Sequence, residues 1–360
     1  MMELIIRSPI SWTFKMTPEQ KEKIRAVKNI FIPTNTLQKM LQSMKRIREL
    51  AIIDGYKNRP DCMFVTGETG VGKTTFIEQY LEANQRYDVA DGEEEKTVIP
   101  VLYCSLPKSK RPVHVVEQLL VKMGDELQGK GDDVPGLTNR LVHLAKKAKV
   151  ELIIIDEFQH AIDAANEDIF EDIGEWFKIF IDAARIPIVF LGVPWAKPIL
   201  DVNDQLRRRV RKNSYTIENY TLDTFNEFQM FLQRVEQELP IKPYRELWEQ
   251  EMAFRLFAAS RGNLSELMEG IIQPACIEAI YDESQFISER HFIDAVEENT
   301  DWLDGNNPLA VEIDKVEALQ QKTSSYWNEN AERLASKVVK PTYATVKFSN
   351  LNLQTVLSKR

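Results

Sequence analysis

Gly67-Glu68-Thr69-Gly70-Val71-Gly72-Lys73-Thr74 is the stretch on which the fold turns. It follows an apolar run, Cys62-Met63-Phe64-Val65-Thr66, and leads into Thr74-Thr75-Phe76-Ile77-Glu78-Gln79-Tyr80-Leu81, which reads as a helix. A strand, a G-x-x-x-x-G-K-T turn and a helix, in that order, form a phosphate-binding loop. The glycines let backbone N–H groups turn inward around phosphates, and the helix N-terminus adds positive potential. Lys73 is placed to neutralise the β- and γ-phosphates, and the Thr74 hydroxyl to ligate Mg2+. The loop as a whole, from Gly67, Glu68, Thr69, Gly70, Val71 and Gly72 through Lys73, Thr74 and Thr75, is the expected seat of ATP. The alternative is a glycine-rich turn with a chance lysine, which the strand–turn–helix context disfavours.

A second motif strengthens this reading. Glu151-Leu152-Ile153-Ile154-Ile155-Asp156-Glu157 is an apolar strand ending in two carboxylates. In a parallel sheet, ligand sites lie at the carboxyl ends of the strands. Asp156 is therefore expected beside Thr74, holding magnesium through water, and Glu157 where it can polarise the attacking water. Either motif alone could be incidental; the pair is not. A further apolar strand, Val98–Ser105, falls between the two in chain order, as in ATPases with a catalytic glutamate. Nucleoside kinases usually set the two strands side by side, so a metabolic phosphotransferase is disfavoured.

Working outward, residues 56–220 alternate apolar strands with helices: Cys62–Thr66, Val98–Ser105, Leu152–Ile155, Ile188–Gly192 and Tyr215–Asn219. Continuous apolar runs of this length predict an α/β fold with a parallel central sheet covered on both faces. The acidic segment Asp91–Glu95 reads as a solvated loop. Residues 1–55 predict an extended entry and an amphipathic helix from Thr36, its N-cap, to Ile53. Leu37, Met40, Leu41, Met44, Ile47 and Leu50 form its buried face. Residues 221–300 read as a small α-helical lid domain. Residues 301–360 read as a tail for partner interaction, with a helix near Val311–Leu334 and a basic end, Ser358-Lys359-Arg360. Trp302, Tyr326, Trp327, Tyr343 and Phe348 are its candidate docking side chains.

Composition excludes some functions. No apolar run approaches the ~20 residues of a membrane span, and no signal-peptide pattern opens the chain; a cytoplasmic protein with no membrane partner is expected. Cys62, Cys104 and Cys276 are too scattered for a metal or disulfide framework. The same holds for His114, His143, His160 and His291 as metal ligands. A net charge of −9 argues against coating nucleic acid by overall charge, so any DNA contact must come from local cations. Two segments offer them: Pro107-Lys108-Ser109-Lys110-Arg111-Pro112, after the second strand, and Gln205-Leu206-Arg207-Arg208-Arg209-Val210-Arg211-Lys212.

Taken together, GETGVGKT, IIIDEFQH, PIVFLGVPW, QLRRRV and SRGNLSELM resemble the AAA+ regulators of DNA transposition, the TniB/TnsC family, over roughly Ile30 to Val296. The resemblance implies an AAA+ P-loop ATPase that holds ATP between neighbouring subunits and assembles as a ring or helical filament on double-stranded DNA. It implies two protein partners, a transposase and a TniQ-like target-selection adaptor. It places an arginine finger among Arg207–Arg209, with Arg209 best matching the usual position and Arg208 beside it. It turns the loop of Lys108, Lys110 and Arg111 toward DNA phosphates. Two departures stand out. The strand Ile188–Gly192 runs into Val193-Pro194 where many AAA+ proteins carry a polar residue that orients the water. Gly262-Asn263-Leu264-Ser265 has serine where many initiators carry a nucleotide-sensing arginine. Both departures imply slow hydrolysis, and the finger makes it depend on assembly. The competing readings are a helper ATPase of another insertion-element or replication system, and a signalling switch that binds no DNA.

Overall fold

A computed structural model describes residues 16–351, except 92–93, 107, 109–110, 132, 162–166, 198–199, 201–203, 303–305, 329 and 332–335. Five parallel strands form the central sheet in the order β4-β5-β6-β1-β7. They are β1 (Met63–Gly67), β4 (Val101–Ser105), β5 (Leu152–Asp156), β6 (Ile188–Gly192) and β7 (Ser214–Ile217). The strand that separates β1 from β5 in space is β6. The segment expected between them from chain order lies outside β5, at the sheet edge. It is also two strands: β3 (Glu94–Val98) and β4 are interrupted at Pro100, which has no N–H to give a ladder.

Both faces of the sheet are covered, which is why its inner strands β1, β5 and β6 are buried along their whole length, whereas edge strand β7 is not. On one face, α4 (Pro112–Met123), α5 (Val134–Lys147) and α6 (Glu167–Ala184) pack Leu119, Leu141, Phe177 and Phe180 against Phe64, Ile153 and Phe190. On the other, α2 (Asn35–Ile53) and α3 (Lys73–Glu82) pack Met40, Met44 and Phe76 against Val65, Ile154 and Leu191. The N-cap of α2 is Thr34, whose hydroxyl accepts from Leu37 N at 3.3 Å, and not Thr36. Leu37, Met40, Met44 and Ile47 are buried as their spacing predicts. Leu50 is 50% exposed and Ala51 is buried in its stead. Of the acidic stretch, Asp91, Glu94 and Glu95 are strand residues, in β2 (Tyr87–Asp91) and β3, which pair antiparallel; residues 92–93 lie outside the described residues.

A helical layer follows: α8 (Phe225–Glu238), α9 (Gln250–Ser260), α10 (Leu264–Leu267), a π-turn (Met268–Ile272), α11 (Gln273–Tyr281) and α12 (Glu289–Asn299). It encloses Phe228, Phe254, Phe257, Ile272 and Phe292. The entry before residue 34 is not simply extended. It holds α1 (Pro18–Lys28), capped by Thr17, and Val27 of α1 joins this helical core. The expected tail helix is replaced by strands. Antiparallel β8 (Glu317–Thr323) pairs with β11 (Thr342–Lys347), and β9 (Tyr326–Trp327) with β10 (Val338–Val339). Trp302 donates to Ala259 O at 3.0 Å, Phe348 packs on Phe254, and Trp327 stacks on Trp195; Tyr326 and Tyr343 stay exposed. No helix among the described residues is long and apolar enough to cross a membrane.

Candidate nucleotide site

Strand β1 is paired on both sides, so Gly67 leaves the sheet near the middle of its carboxyl edge. The loop needs its glycines for different reasons. A Cβ on Gly67 would lie 2.7 Å from Ile217 O, whereas Gly70 and Gly72 have φ of 81° and 87°, in the left-handed region. Gly72 caps α3 without a side chain, leaving the first-turn N–H groups, which lack helical partners, facing the cleft. Lys73 Nζ donates to Gly67 O and Glu68 O, each at 2.7 Å. Burial pushes the Lys73 pKa below its ordinary value, against the pull of Asp156, Glu157 and Glu68.

Asp156, at the end of β5, is almost fully buried. Its Oδ2 accepts from the Tyr103 hydroxyl at 3.0 Å and its Oδ1 from Glu157 N at 2.7 Å. Burial, then Asp156 itself, pushes the Tyr103 phenol up, which keeps it a donor. Glu157 adopts φ +55°, a backbone reversal that carries its carboxylate off the strand axis into the cleft. There it is 42% exposed. The Gln159 side-chain amide donates to Glu157 Oε2 and accepts from Val193 N at 3.3 Å. His160 Nδ1 donates to Leu106 O at 3.0 Å, and its Nε2 lies 3.7 Å from Glu157 Oε2.

These groups meet in a cavity of about 580 Å³ whose lining includes Thr69, Gly70, Gly72, Lys73, Thr74, Thr75, Glu157 and Gln159. Asp156 sits behind that lining, near enough for its charge to act on Lys73. The rest of the wall was not foreseen. Ile30, Phe31, Ile32 and Leu37 form one apolar side, and Phe231, Leu264 and Met268 the other, with Lys28, Glu78, Glu269 and Gln273 among them. The available signal was the apolar tripeptide Ile30-Phe31-Ile32 directly before the α2 cap. At 3.6 residues per turn Gln273 would lie about half a turn away from Leu264; the π-turn, a wider coil, brings it back to the cavity.

The loop is also braced from outside the sheet. Asn263 Nδ2 donates to Thr69 O at 2.9 Å and Ser265 N to Gly70 O at 2.9 Å. Glu68 accepts from Ser325 N at 2.6 Å and from Ser325 Oγ at 3.2 Å. Ser265 thus contacts the phosphate loop through its backbone, and its hydroxyl donates to Glu269 at 2.7 Å.

The peripheral cations divide. Arg209 turns inward: it is 9% exposed, its guanidinium pairs with Asp182, and its carbonyl accepts from Cys62 N at 3.0 Å. Within the chain this residue ties α7 (Asp204–Val210) to α6 and to the start of β1. Arg207 pairs with Asp204 at 2.5 Å. Arg208 is exposed and has no ion-pair partner among the described residues. Lys108 and Arg111 are exposed beyond the carboxyl end of β4, and Lys110 lies outside the described residues. The three cysteines are buried thiols, pushed up to about 12 by burial.

A family model described as Bacterial TniB protein matches residues 23–217. No curated protein matches the chain. Among solved structures, the ORC2 protein of Aeropyrum pernix, in ADPNP–ADP complexes, is 16% identical with a TM-score of 0.55, over 80% of this chain and 75% of its own. The ORC1 protein of Aeropyrum pernix in complex with DNA is 14% identical with a TM-score of 0.50, over 76% of this chain and 68% of its own. These structures share the fold: an AAA+ parallel sheet with a helical layer.

Proposed function

The chain belongs to the TniB family, a group of transposition-linked AAA+ ATPases, and from that premise we propose that it is an ATP-gated assembly factor acting on target DNA. It oligomerises as a ring or helical filament on double-stranded DNA. There it recruits or activates a transposase and links it to a TniQ-like adaptor. The observation that carries this reading is the convergence of Lys73, Thr74, Thr75 and Glu157 on one cavity, with exposed Lys108 and Arg111 following β4 on the same carboxyl side of the sheet.

In this reading, Lys73 exchanges its loop carbonyls for the β- and γ-phosphates of ATP, to which the first-turn N–H groups of α3 also donate. Thr74, and Asp156 through water, would hold Mg2+, which when bound neutralises charge developing on the phosphates. Glu157 takes a proton from water as its oxygen bonds to the γ-phosphorus and the bond to the bridging oxygen breaks, leaving ADP. Arg208, exposed and without an ion-pair partner among the described residues, serves as the finger toward a neighbour's γ-phosphate, so that hydrolysis follows assembly. Lys108, Lys110 and Arg111 contact backbone phosphates, which give affinity without sequence preference. The solved ORC1 relative is itself a complex with DNA, which supports a nucleic-acid ligand.

Electron microscopy of the full chain with duplex DNA and a slowly hydrolysed ATP analogue should show rings or helical polymers. Exchanging Lys108 and Lys110 for alanine should weaken DNA binding and flatten its salt dependence, with ATP affinity unchanged. Protein that neither assembles nor stays on DNA when ATP is bound would leave an ATPase of another kind.

A further inference from the structure

We propose that Gln159 is the positioning residue for Glu157, holding one carboxylate oxygen so that the other faces the attacking water. The proposal rests on Glu157 acting as the base. Gln159 is only 7% exposed and lines the nucleotide cavity. Its orientation is fixed by its partners. A backbone N–H can only donate, so the atom facing Val193 N must be Oε1, and Nε2 is left to face Glu157 Oε2. Glu157 Oε1 has no partner among the described residues. The carboxylate is therefore tethered at one oxygen and open at the other, as a base that must meet a water in one direction requires.

The end of β6 explains why this residue sits on the Asp-Glu segment and not on the neighbouring strand. A Cβ built on Gly192 would lie 3.1 Å from Gln159 Oε1 and 3.3 Å from the Ala196 Cβ. Gly192 thus leaves room for the Gln159 amide, and a polar side chain there would compete with it for the same space. Gln159, in the turn after β5, therefore fills the space beside Glu157 that a side chain at the end of β6 would otherwise take. His160 is the other polar group beside the carboxylate. Its Nε2 stands farther off, at 3.7 Å, and its Nδ1 is occupied by Leu106 O, so it cannot replace the amide bridge to Val193. A neutral donor suits the task, because a cation held against Glu157 would weaken it as a base.

The test measures ATP hydrolysis with full-length protein under conditions where the wild-type chain turns over. Gln159→Met, which keeps the bulk and loses both hydrogen bonds, should lower kcat by about 10- to 100-fold, with the ATP concentration for half-maximal rate changed by no more than about twofold. Gln159→Glu, which keeps the shape and loses the Nε2–H donor facing Glu157, should lower kcat to a similar degree, again with little change in the ATP concentration for half-maximal rate. A purely structural role would move stability or ATP affinity and not kcat alone. Unchanged or faster turnover in Gln159→Met or in Gln159→Glu overturns the assignment. Glu157→Gln separates the two ideas: if it hydrolyses normally, the base assignment has failed, and if it alone is inactive, only the role of Gln159 has.

Discussion

The phosphate loop and the C-terminal region are joined by Glu68 and Ser325, yet their shapes have opposite origins. The loop follows from its own residues: Gly70 and Gly72 at positive φ and Gly67 wedged under Ile217 O leave few other conformations open. The tail follows from what surrounds it. Glu317-Ala318-Leu319-Gln320-Gln321-Lys322-Thr323 is made largely of good helix formers, yet it is strand β8. Ala318 is 0% exposed in the helical core and Gln320 donates to Asp223. Alternate residues are claimed by the helical layer, while the strand ladder pairs with β11. Propensity is a weak prior, and tertiary partners override it. The loop should accordingly fail when one of its own residues changes, and the tail only when its contacts do.

The largest expected effect tests the first half of that contrast. Lys73→Ala should weaken magnesium-dependent ATP binding by about 100-fold, equivalent to about 2.7 kcal/mol, while thermal unfolding changes little, since Lys73 donates only to loop carbonyls. Fluorescence titration with labelled ATP measures the first and calorimetry the second. Retained binding would mean the loop's chemistry is not where its sequence puts it.

A smaller effect sharpens the same point through pH. Lys73 has its pKa lowered from 10.5 by burial, and phosphates favour the charged form, so bound ATP raises it again. Affinity should be constant below the lowered value. It should then fall as pH rises through it, by at most about tenfold per pH unit, with proton uptake on binding at alkaline pH. Titration calorimetry in two buffers of different ionisation heat reads this directly. No proton uptake, or the same fall in Lys73→Ala, would show that the lysine is not the group responsible.

The site was legible wherever a residue's role is set by its neighbours in sequence. The loop and the Asp156-Glu157 pair were, because each needs only a strand and a turn. The apolar cavity wall was not, since Phe31, Phe231 and Met268 come from three distant segments. The pairing of Arg209 was hidden for the same reason: a run of arginines does not say which one faces Asp182. Leu50 fits the helical period of its neighbours, yet it is Ala51 beside it that the fold buries. The separation of β1 from β5 was sound in outcome and wrong in agent, because chain order does not fix strand order. β6 takes the intervening place.

The smallest effect addresses the junction of the two regions. Ser325 gives Glu68 both its N–H and its hydroxyl, and a hydrogen bond to a charged group contributes about 1.5–3 kcal/mol at most, less where water can replace it. Glu68→Ala should therefore speed hydrogen exchange at the Ser325 amide by about tenfold, or about 1.4 kcal/mol of local opening. The β8–β11 ladder should keep its protection, because Ala318, Gln320 and Phe348 hold it to the helical layer independently of the loop. If the whole hairpin loosened together, the tail would owe its shape to the phosphate loop after all. If Ser325 did not respond, the contact would contribute nothing, and the two regions would be neighbours without coupling.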